Sequence, residues 1–276
     1  MSYTQEQAEA RVALLDPTAQ VRRWGFEIES PIIGAVKSDS DWRDYDGLDF
    51  CSDGSLSGGE CECECSDCYH SCNCDNCERA DYLDHCGDCS TNEVCSARPV
   101  TTPTLDQWGR FLDKLARDWS PVENWGENWG GHLHIEARDL TKRQAASVVI
   151  IGERMFQLAP DWFSGGRDDY NEPLDRERLS GFIQDKFSGY NTNRASWVSI
   201  HNLRASEPQP YKAGDPYDHA KTTIEFRAFR STADRKLIEF RALVARAIVE
   251  YCAKGGQPYW LTSCQDFGKF LRVLGI

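Results

Sequence analysis

Two short stretches of the sequence carry metal-binding or proton-transferring side chains at every second position. Glu27 and Glu29 form one such pair and His132 and His134 form the other, each pair flanking a single aliphatic residue. Because successive side chains of a β-strand point to opposite faces, both members of a pair share one face. Neighbouring carboxylates repel each other unless a positive group lies between them, and a divalent cation is such a group. The alternative for each pair is a solvated strand face without a ligand.

A third stretch repeats the pattern with a carboxylate and a guanidinium. Glu225 and Arg227 share one face of a predicted strand, and Ile224, Phe226 and Ala228 share the other. The simpler explanation is a salt bridge along the strand. Since three half-buried strands each carry such side chains on one face, the sequence predicts a shared polar site that contains a metal ion.

The elements that must position these side chains form an α+β fold. We expect an antiparallel sheet that presents its polar face to a cleft and its apolar face to helices. Alternation predicts strands, and helical spacing with capping residues predicts helices. The predicted strands are 21–29, 131–137, 196–203 and 222–229, and the predicted helices are 4–15, 104–118, 141–158, 173–187 and 234–253. The stretch 37–60 is rich in Asp, Gly and Ser and is predicted to be a loop.

The composition excludes several classes of protein. The chain has 276 residues, with 40% hydrophobic and 27% charged residues, as in an ordinary folded protein. No window approaches the ~18 consecutive apolar residues of a membrane span. A net charge of −13 disfavours nucleic-acid binding, which needs Lys and Arg for phosphate contacts. The first residues lack the basic and apolar regions of a signal peptide, so we expect a cytoplasmic protein without membrane partners.

Most of the cysteine and most of the negative charge lie in one segment. Of 13 cysteines, eleven lie between Cys51 and Cys95, and this segment also supplies −10 of the net charge. Three CxxC pairs indicate zinc, because two thiolates at this spacing bind one tetrahedral ion. The predicted zinc ligands are Cys61, Cys63, Cys65, Cys68, Cys72, Cys74, Cys77, Cys86 and Cys89, with His70 and His85 nearby. An iron–sulfur cluster and disulfides are the alternatives, and a reducing cytosol disfavours the disulfides.

The segment is predicted to be an insertion with its own metal-stabilised structure. Residues 61–92 form this zinc-knot insertion, and residues 1–60 and 93–276 form the main domain. The cysteine count supports about two structural zinc ions, each with four closed ligand positions. We favour Cys74, Cys77, Cys86 and Cys89 for one ion, and Cys61 or Cys63 with Cys65, Cys68 and Cys72 for the other.

Five short motifs in this order resemble the amidoligase family. That family belongs to the carboxylate–amine ligases, which share the fold of glutamine synthetase and gamma-glutamylcysteine ligase. The resemblance covers about residue 22 to residue 250, and several members carry a cysteine-rich insertion at the same place. The motifs are Gly25-Phe26-Glu27-Ile28-Glu29, Asp53-Gly54-Ser55-Leu56, Glu93-Val94 with Ser96 and Pro99, Gly130-Gly131-His132-Leu133-His134-Ile135, and Thr223-Ile224-Glu225-Phe226-Arg227 with Ser231-Thr232.

The resemblance implies a glutamine synthetase-like sheet and an ATP-dependent reaction. Such ligases phosphorylate a carboxylate, and an amine then displaces the phosphate to form an amide. The substrates would be an amino-acid, peptide or protein carboxylate and an amine, with ATP and about two magnesium ions as cofactors. The family pattern implies magnesium ligands at Glu27, Glu29, Glu93, His132 and Glu225, catalytic roles for Arg227, Glu225 and His132, and substrate or nucleotide contacts from Arg227, Arg230, Asn202 and Arg194.

A second function class remains open at this point. In it, the ligase-like domain is only a scaffold, and the zinc knot binds a protein partner without catalysis. The acidity of the knot favours a protein over a nucleic acid as that partner. The presence of Glu27, Glu29 and Glu225 together favours the enzyme, because a scaffold has no chemical need for three carboxylates on one sheet face.

Overall fold

An antiparallel sheet is the centre of the part of the chain that the structure describes. The structure is a computed structural model, and it describes residues 22–29, 48–51, 93–96, 109, 111–113, 115, 130–163, 172–184, 196–201, 203 and 223–276. The strands are β1 (Trp24–Glu29), β2 (Leu48–Cys51), β3 (Glu93–Ser96), β4 (Gly130–Glu136), β5 (Val198–Ser199) and β6 (Thr223–Arg230). Their order across the sheet is β2-β3-β1-β4-β6-β5, and each neighbouring pair is antiparallel.

Alternation in the sequence gives this sheet an apolar face. Phe26 of β1 lies opposite Leu133 of β4, and Leu133 lies opposite Phe226 of β6. All three side chains are buried. Burial of each large apolar side chain stabilises the fold by about 1.5–3 kcal/mol relative to exposure. The polar side chains at the alternate positions therefore share the other face.

Helices cover the apolar face. They are α1 (Lys142–Leu158), α2 (Arg176–Ile183), α3 (Arg235–Ala253), α4 (Pro258–Thr262) and α5 (Phe267–Leu274), with a 3-10 turn at Pro160–Trp162. The long helices begin at good capping residues. Thr141 and Gln144 form a capping box at α1, and the Asp234 side chain accepts hydrogen bonds from two backbone N–H groups at α3.

A glycine allows α1 to lie close to the sheet. A Cβ atom on Gly152 would come within 2.7 Å of Val198 Cγ2 and 3.0 Å of a Phe226 ring carbon. Any larger side chain would force the helix away from β5 and β6. The core then continues through aromatic contacts, such as the perpendicular packing of Trp162 on Phe240 with 5.2 Å between ring centroids.

The architecture confirms the predicted α+β class with an antiparallel sheet. The prediction of a loop over 37–60 is wrong at β2, where hydrogen bonds to β3 outweigh a local sequence typical of loops. In the described part of the predicted strand 196–203, strand structure is limited to the two-residue strand β5 and an isolated bridge at Ser196. The predicted helix 4–15 lies outside the described residues. No helix in the described ranges is both long and apolar enough to cross a membrane.

Candidate metal and carboxylate site

Glu27 lies at the centre of a polar cluster on the polar face of the sheet. Strand register places it directly opposite His132 on β4. One carboxylate oxygen lies 2.7 Å from His132 Nδ1, and the other lies 2.8 Å from His134 Nε2. Each oxygen of this carboxylate therefore has its own imidazole partner.

Glu225 joins the cluster from β6, on the far side of β4. It lies opposite His134 in the register, and its carboxylate is 3.5 Å from His132 Nδ1. Ligand atoms of Glu27, His132 and Glu225 all lie within 4.8 Å of one another. These three residues come from three adjacent strands and are separated by up to 198 positions in sequence. The sheet register, not local sequence, brings them together.

Arg227 supplies the permanent positive charge at this cluster. Its guanidinium donates to Glu225 Oε1 at 2.5 Å, two residues along the same strand face. Burial alone would lower the pKa of Arg227, but the nearby carboxylates of Glu225, Glu27 and Glu29 raise it. The guanidinium therefore stays charged, and its planar set of donors suits an oxyanion.

Glu29 extends the cluster towards the start of β4. Its side chain is fully buried, and one carboxylate oxygen lies 3.5 Å from His132 Nε2. The other oxygen accepts a 2.6 Å hydrogen bond from the Gly130 backbone N–H. The hydroxyl of Ser231 donates to the Glu29 backbone carbonyl at 2.7 Å, which ties the end of β6 to β1.

Opposite charges lie side by side in the cluster, on Glu27 and His134. Burial would raise the pKa of Glu27, but the charge of His134 and the hydrogen bonds from both histidines hold it well below its usual range. Burial would lower the pKa of His134, yet Glu27 and Glu225 raise it to about 9. At neutral pH Glu27 is therefore a carboxylate and His134 an imidazolium.

The donor set of the triad suits a divalent cation. Carboxylate oxygens bind Mg²⁺ and Mn²⁺, and an imidazole also suits Mn²⁺, Fe²⁺ or Zn²⁺. Protein carboxylates this close together need positive charge between them, which His134 and Arg227 supply in the structure. A cation bound by Glu27, His132 and Glu225 would supply this positive charge more directly.

The remaining residues predicted for the site divide into three groups. Glu93 lies directly opposite Glu29 in the register of β1 and β3, so the backbone places it on the same face. Arg230 ends β6 opposite Gly130 and is exposed. Arg194, Asn202 and the predicted zinc ligands Cys61 to Cys89 lie outside the described residues.

Two residues of the cluster were given no role of their own by the sequence reasoning. His134 was noticed for its strand face but was assigned no role, although it contacts Glu27 directly and is only 15% exposed at its side chain. Its alternation with His132 was the available signal. Ser231 was quoted in the fifth motif without a role, and in the structure its hydroxyl holds the Glu29 backbone. In comparisons with known proteins, no family model matches the chain and no curated protein is similar to it in sequence.

Proposed function

We propose that this protein is an ATP-dependent carboxylate–amine ligase of the amidoligase type. Its substrates would be an amine and an amino-acid, peptide or protein carboxylate. One observation carries the proposal. Glu27, His132 and Glu225 come from three separate strands, yet their ligand atoms lie within 4.8 Å of one another, beside the guanidinium of Arg227.

The residues present fit a bound divalent cation. Glu27, His132 and Glu225 would hold it, and Glu29 with its register partner Glu93 would provide carboxylates for a second ion. When bound, magnesium screens the charge of the triphosphate and of the carboxylate that attacks it. These ligands sit on strands of the sheet, and such elements hold a site more firmly than loops do.

The roles of the protein groups follow from their positions. Arg227 presents a planar set of donors that suits two oxygens of a phosphoryl group. Glu225 holds that guanidinium in place through the 2.5 Å ion pair. His134, protonated at neutral pH, keeps the Glu27 carboxylate oriented towards the cluster. Arg230, Asn202 and Arg194 remain proposed contacts to the nucleotide or substrate.

The wider architecture is consistent with a glutamine synthetase-like fold. In the proposal, the antiparallel sheet presents its polar face to the substrates while α1 and α3 support the other face. The cysteine-rich segment 61–92 is proposed to be a structural zinc knot. Its spacing supports two closed sites, in which no ligand position is left for a reacting water.

The proposal is tested by nucleotide turnover on pooled substrates. The full chain is incubated with ATP, Mg²⁺ or Mn²⁺, and pools of amino acids and short peptides. Release of phosphate and a new amide mass, 18 Da below the sum of acid and amine, are measured together. Glu225→Gln should abolish both signals, because it removes the carboxylate charge from the triad. Glu239→Gln is the matched control, since it makes the same change at a half-exposed pair with Arg235 on α3.

The same experiment distinguishes the non-catalytic alternative. Absence of phosphate release with every pool would contradict the ligase. The biological activity of the variants separates the two functions. The protein-binding alternative predicts that this activity survives Glu225→Gln and Arg227→Lys. It also predicts that the activity is lost when Cys86 and Cys89 are replaced.

A further inference from the structure

The segment that follows β6 crosses the start of β4 and reaches β1. β6 ends at Arg230, opposite Gly130, and Ser231 is the next residue. A Cβ atom on Gly131 would lie 3.5 Å from the Arg230 carbonyl oxygen and 3.6 Å from Ser231 Cα, so the Arg230–Ser231 peptide lies against the β4 backbone. On the other side of β4, the Ser231 hydroxyl donates to the Glu29 carbonyl of β1. One peptide therefore joins three neighbouring strands at one end of the sheet.

Arg241 of α3 holds this peptide from the helix layer. The residue is only 4% exposed, and one terminal nitrogen donates a 2.5 Å hydrogen bond to the Arg230 carbonyl. The guanidinium lies 5.1 Å from the centre of the Phe229 ring and 5.8 Å from that of Trp162. The two rings and the carbonyl fix the guanidinium, and the guanidinium in turn fixes the Arg230–Ser231 peptide.

A cation at this position is costly for the stability of the fold. Burial and the neighbouring charge of Arg230 lower the pKa of Arg241 to about 9, so the side chain is still charged at neutral pH. Among the described carboxylates, Asp234 acts on it through space without an ion pair. Well-packed apolar residues can often replace a buried charge without loss of stability, and cation–π contacts offset only part of its cost. What the guanidinium holds in place therefore explains it better than stability does.

We propose that Arg241 and Ser231 are positioning residues that fix Glu29 within the carboxylate cluster. Their importance for catalysis rests on the proposed function, in which Glu29 is a ligand of the second ion. Glu29 is held twice, because Ser231 binds its backbone carbonyl and the Gly130 N–H binds its carboxylate at 2.6 Å. Loss of the first contact would let the end of β1 shift, and the second contact would then weaken.

The first test needs no metal ion and no substrate. Hydrogen exchange of the Gly130 amide is measured by NMR on the full chain, relative to the core amide of Ile151. We expect about tenfold faster Gly130 exchange in Ser231→Ala and in Arg241→Met, because the bond to Glu29 opens more often. The control Ile248→Val trims another buried side chain of α3, so it should lower stability and leave this ratio unchanged. An unchanged ratio in both Ser231→Ala and Arg241→Met would overturn the proposal.

The second test measures Mn²⁺ affinity by calorimetric titration of the same variants. Ser231→Ala and Arg241→Met should each weaken binding about tenfold, as loss of a supporting contact behind a metal ligand does. The double variant should lose little more, because both residues act through one peptide. Arg241→Lys keeps a donor for the Arg230 carbonyl and should recover most of the affinity, and Ile248→Val should bind normally.

The two tests separate this proposal from the proposed function. Faster Gly130 exchange in the variants of a protein that binds no Mn²⁺ would support the positioning of Glu29 and contradict the ligase. Normal Mn²⁺ binding by both single variants would overturn the proposal and leave the ligase intact. Fully additive losses in the double variant would also overturn it, because Arg241 and Ser231 would then act independently.

Discussion

The backbone N–H of Gly130 donates a 2.6 Å hydrogen bond to the side chain of Glu29, a residue 101 positions earlier. This bond places the first residue of β4 against a fully buried carboxylate. It also fixes the distance between Glu29 and the imidazole of His132. A side chain on Gly130 would point directly at both groups. The glycine is therefore required by close approach, and not by an unusual backbone angle.

We predict that Gly130→Ala disturbs the cluster while the fold survives. Its Cβ would lie 3.0 Å from His132 Nε2 and 3.1 Å from Glu29 Oε2, so both must shift by a few tenths of an ångström. We expect a loss of about 1 kcal/mol in unfolding free energy and about a tenfold loss in Mn²⁺ affinity. Urea denaturation and calorimetric titration measure the two effects. In the neighbouring control Gly131→Ala, Mn²⁺ affinity should stay unchanged, and equal losses in both variants would contradict the prediction.

Arg227→Lys should impair catalysis while it preserves charge. An ammonium group cannot present two parallel donors to a phosphoryl group, so amide formation should fall about 100-fold. Thermal unfolding should change little, because the ion pair with Glu225 can still form. Amide product formed per minute at saturating ATP is the measurement. Arg272→Lys on the exposed side of α5 is the control. Full activity in Arg227→Lys would remove Arg227 from the proposed mechanism.

Asp139 should contribute pH-dependent stability through Arg22. The two side chains form a bidentate ion pair at 2.6 and 2.7 Å, and Arg22 is 9% exposed. Burial would raise the pKa of Asp139, but the hydrogen bonds and charge of Arg22 lower it. A carboxyl group with a lowered pKa stabilises the fold above its unfolded pKa of about 3.9, and this stability is lost as the pH falls through the folded pKa.

Asp139→Asn should therefore lower the unfolding free energy by about 1 kcal/mol at pH 7. The difference from the unmodified protein should shrink as the pH falls below about 4. Urea denaturation at a series of pH values measures it. Glu239→Gln on α3 is the control, with a change of less than about 0.5 kcal/mol at every pH. A difference that grows towards acid pH would contradict the assigned charge state.

The cysteine-rich segment should contain zinc in the purified protein. Elemental analysis is expected to find about two zinc ions per chain. A thiol reagent should modify the eight zinc-bound cysteines of the segment only after a chelator has been added, whereas the ninth should react at once. Cys252 and Cys264 are internal controls, because both are buried in the core and burial raises the pKa of Cys252 to about 12. They should react slowly with or without chelator. Iron in place of zinc, or disulfides under non-reducing conditions, would contradict this prediction.

Alternation in the sequence was sufficient to predict the faces of β1, β4 and β6. It could not predict how these strands align, because the hydrogen bonds of a sheet depend on register and not on local spacing. The bulge between β4 and β6 illustrates this. At the bulge, His132 of β4 lies opposite two residues of β6, Arg227 and Ala228. A one-residue slip would have moved the polar side chains of β6 to the other face.

Short elements were the least predictable part of the fold. β2 has four residues within a stretch rich in Asp, Gly and Ser, and its strand character comes from pairing with β3. In contrast, the long helices α1 and α3 begin within one residue of the predicted positions, because Thr141 and Asp234 are strong local capping signals.

The pairing of Cys51 with Glu93 brings the two ends of the cysteine-rich stretch to adjacent strands. Glu93 is in turn paired with Glu29, so the three residues form one row across the sheet. A short hairpin turn could join β2 to β3 directly, and residues 52–92 could then be excised without opening the sheet. In the intact chain, residues 52–92 are joined to the sheet through this row. A structural change in them would therefore reach the carboxylate cluster along the backbone through Cys51 or Glu93. The points at which residues 52–92 join the sheet, Cys51 and Glu93, thus lie within two strands of Glu29.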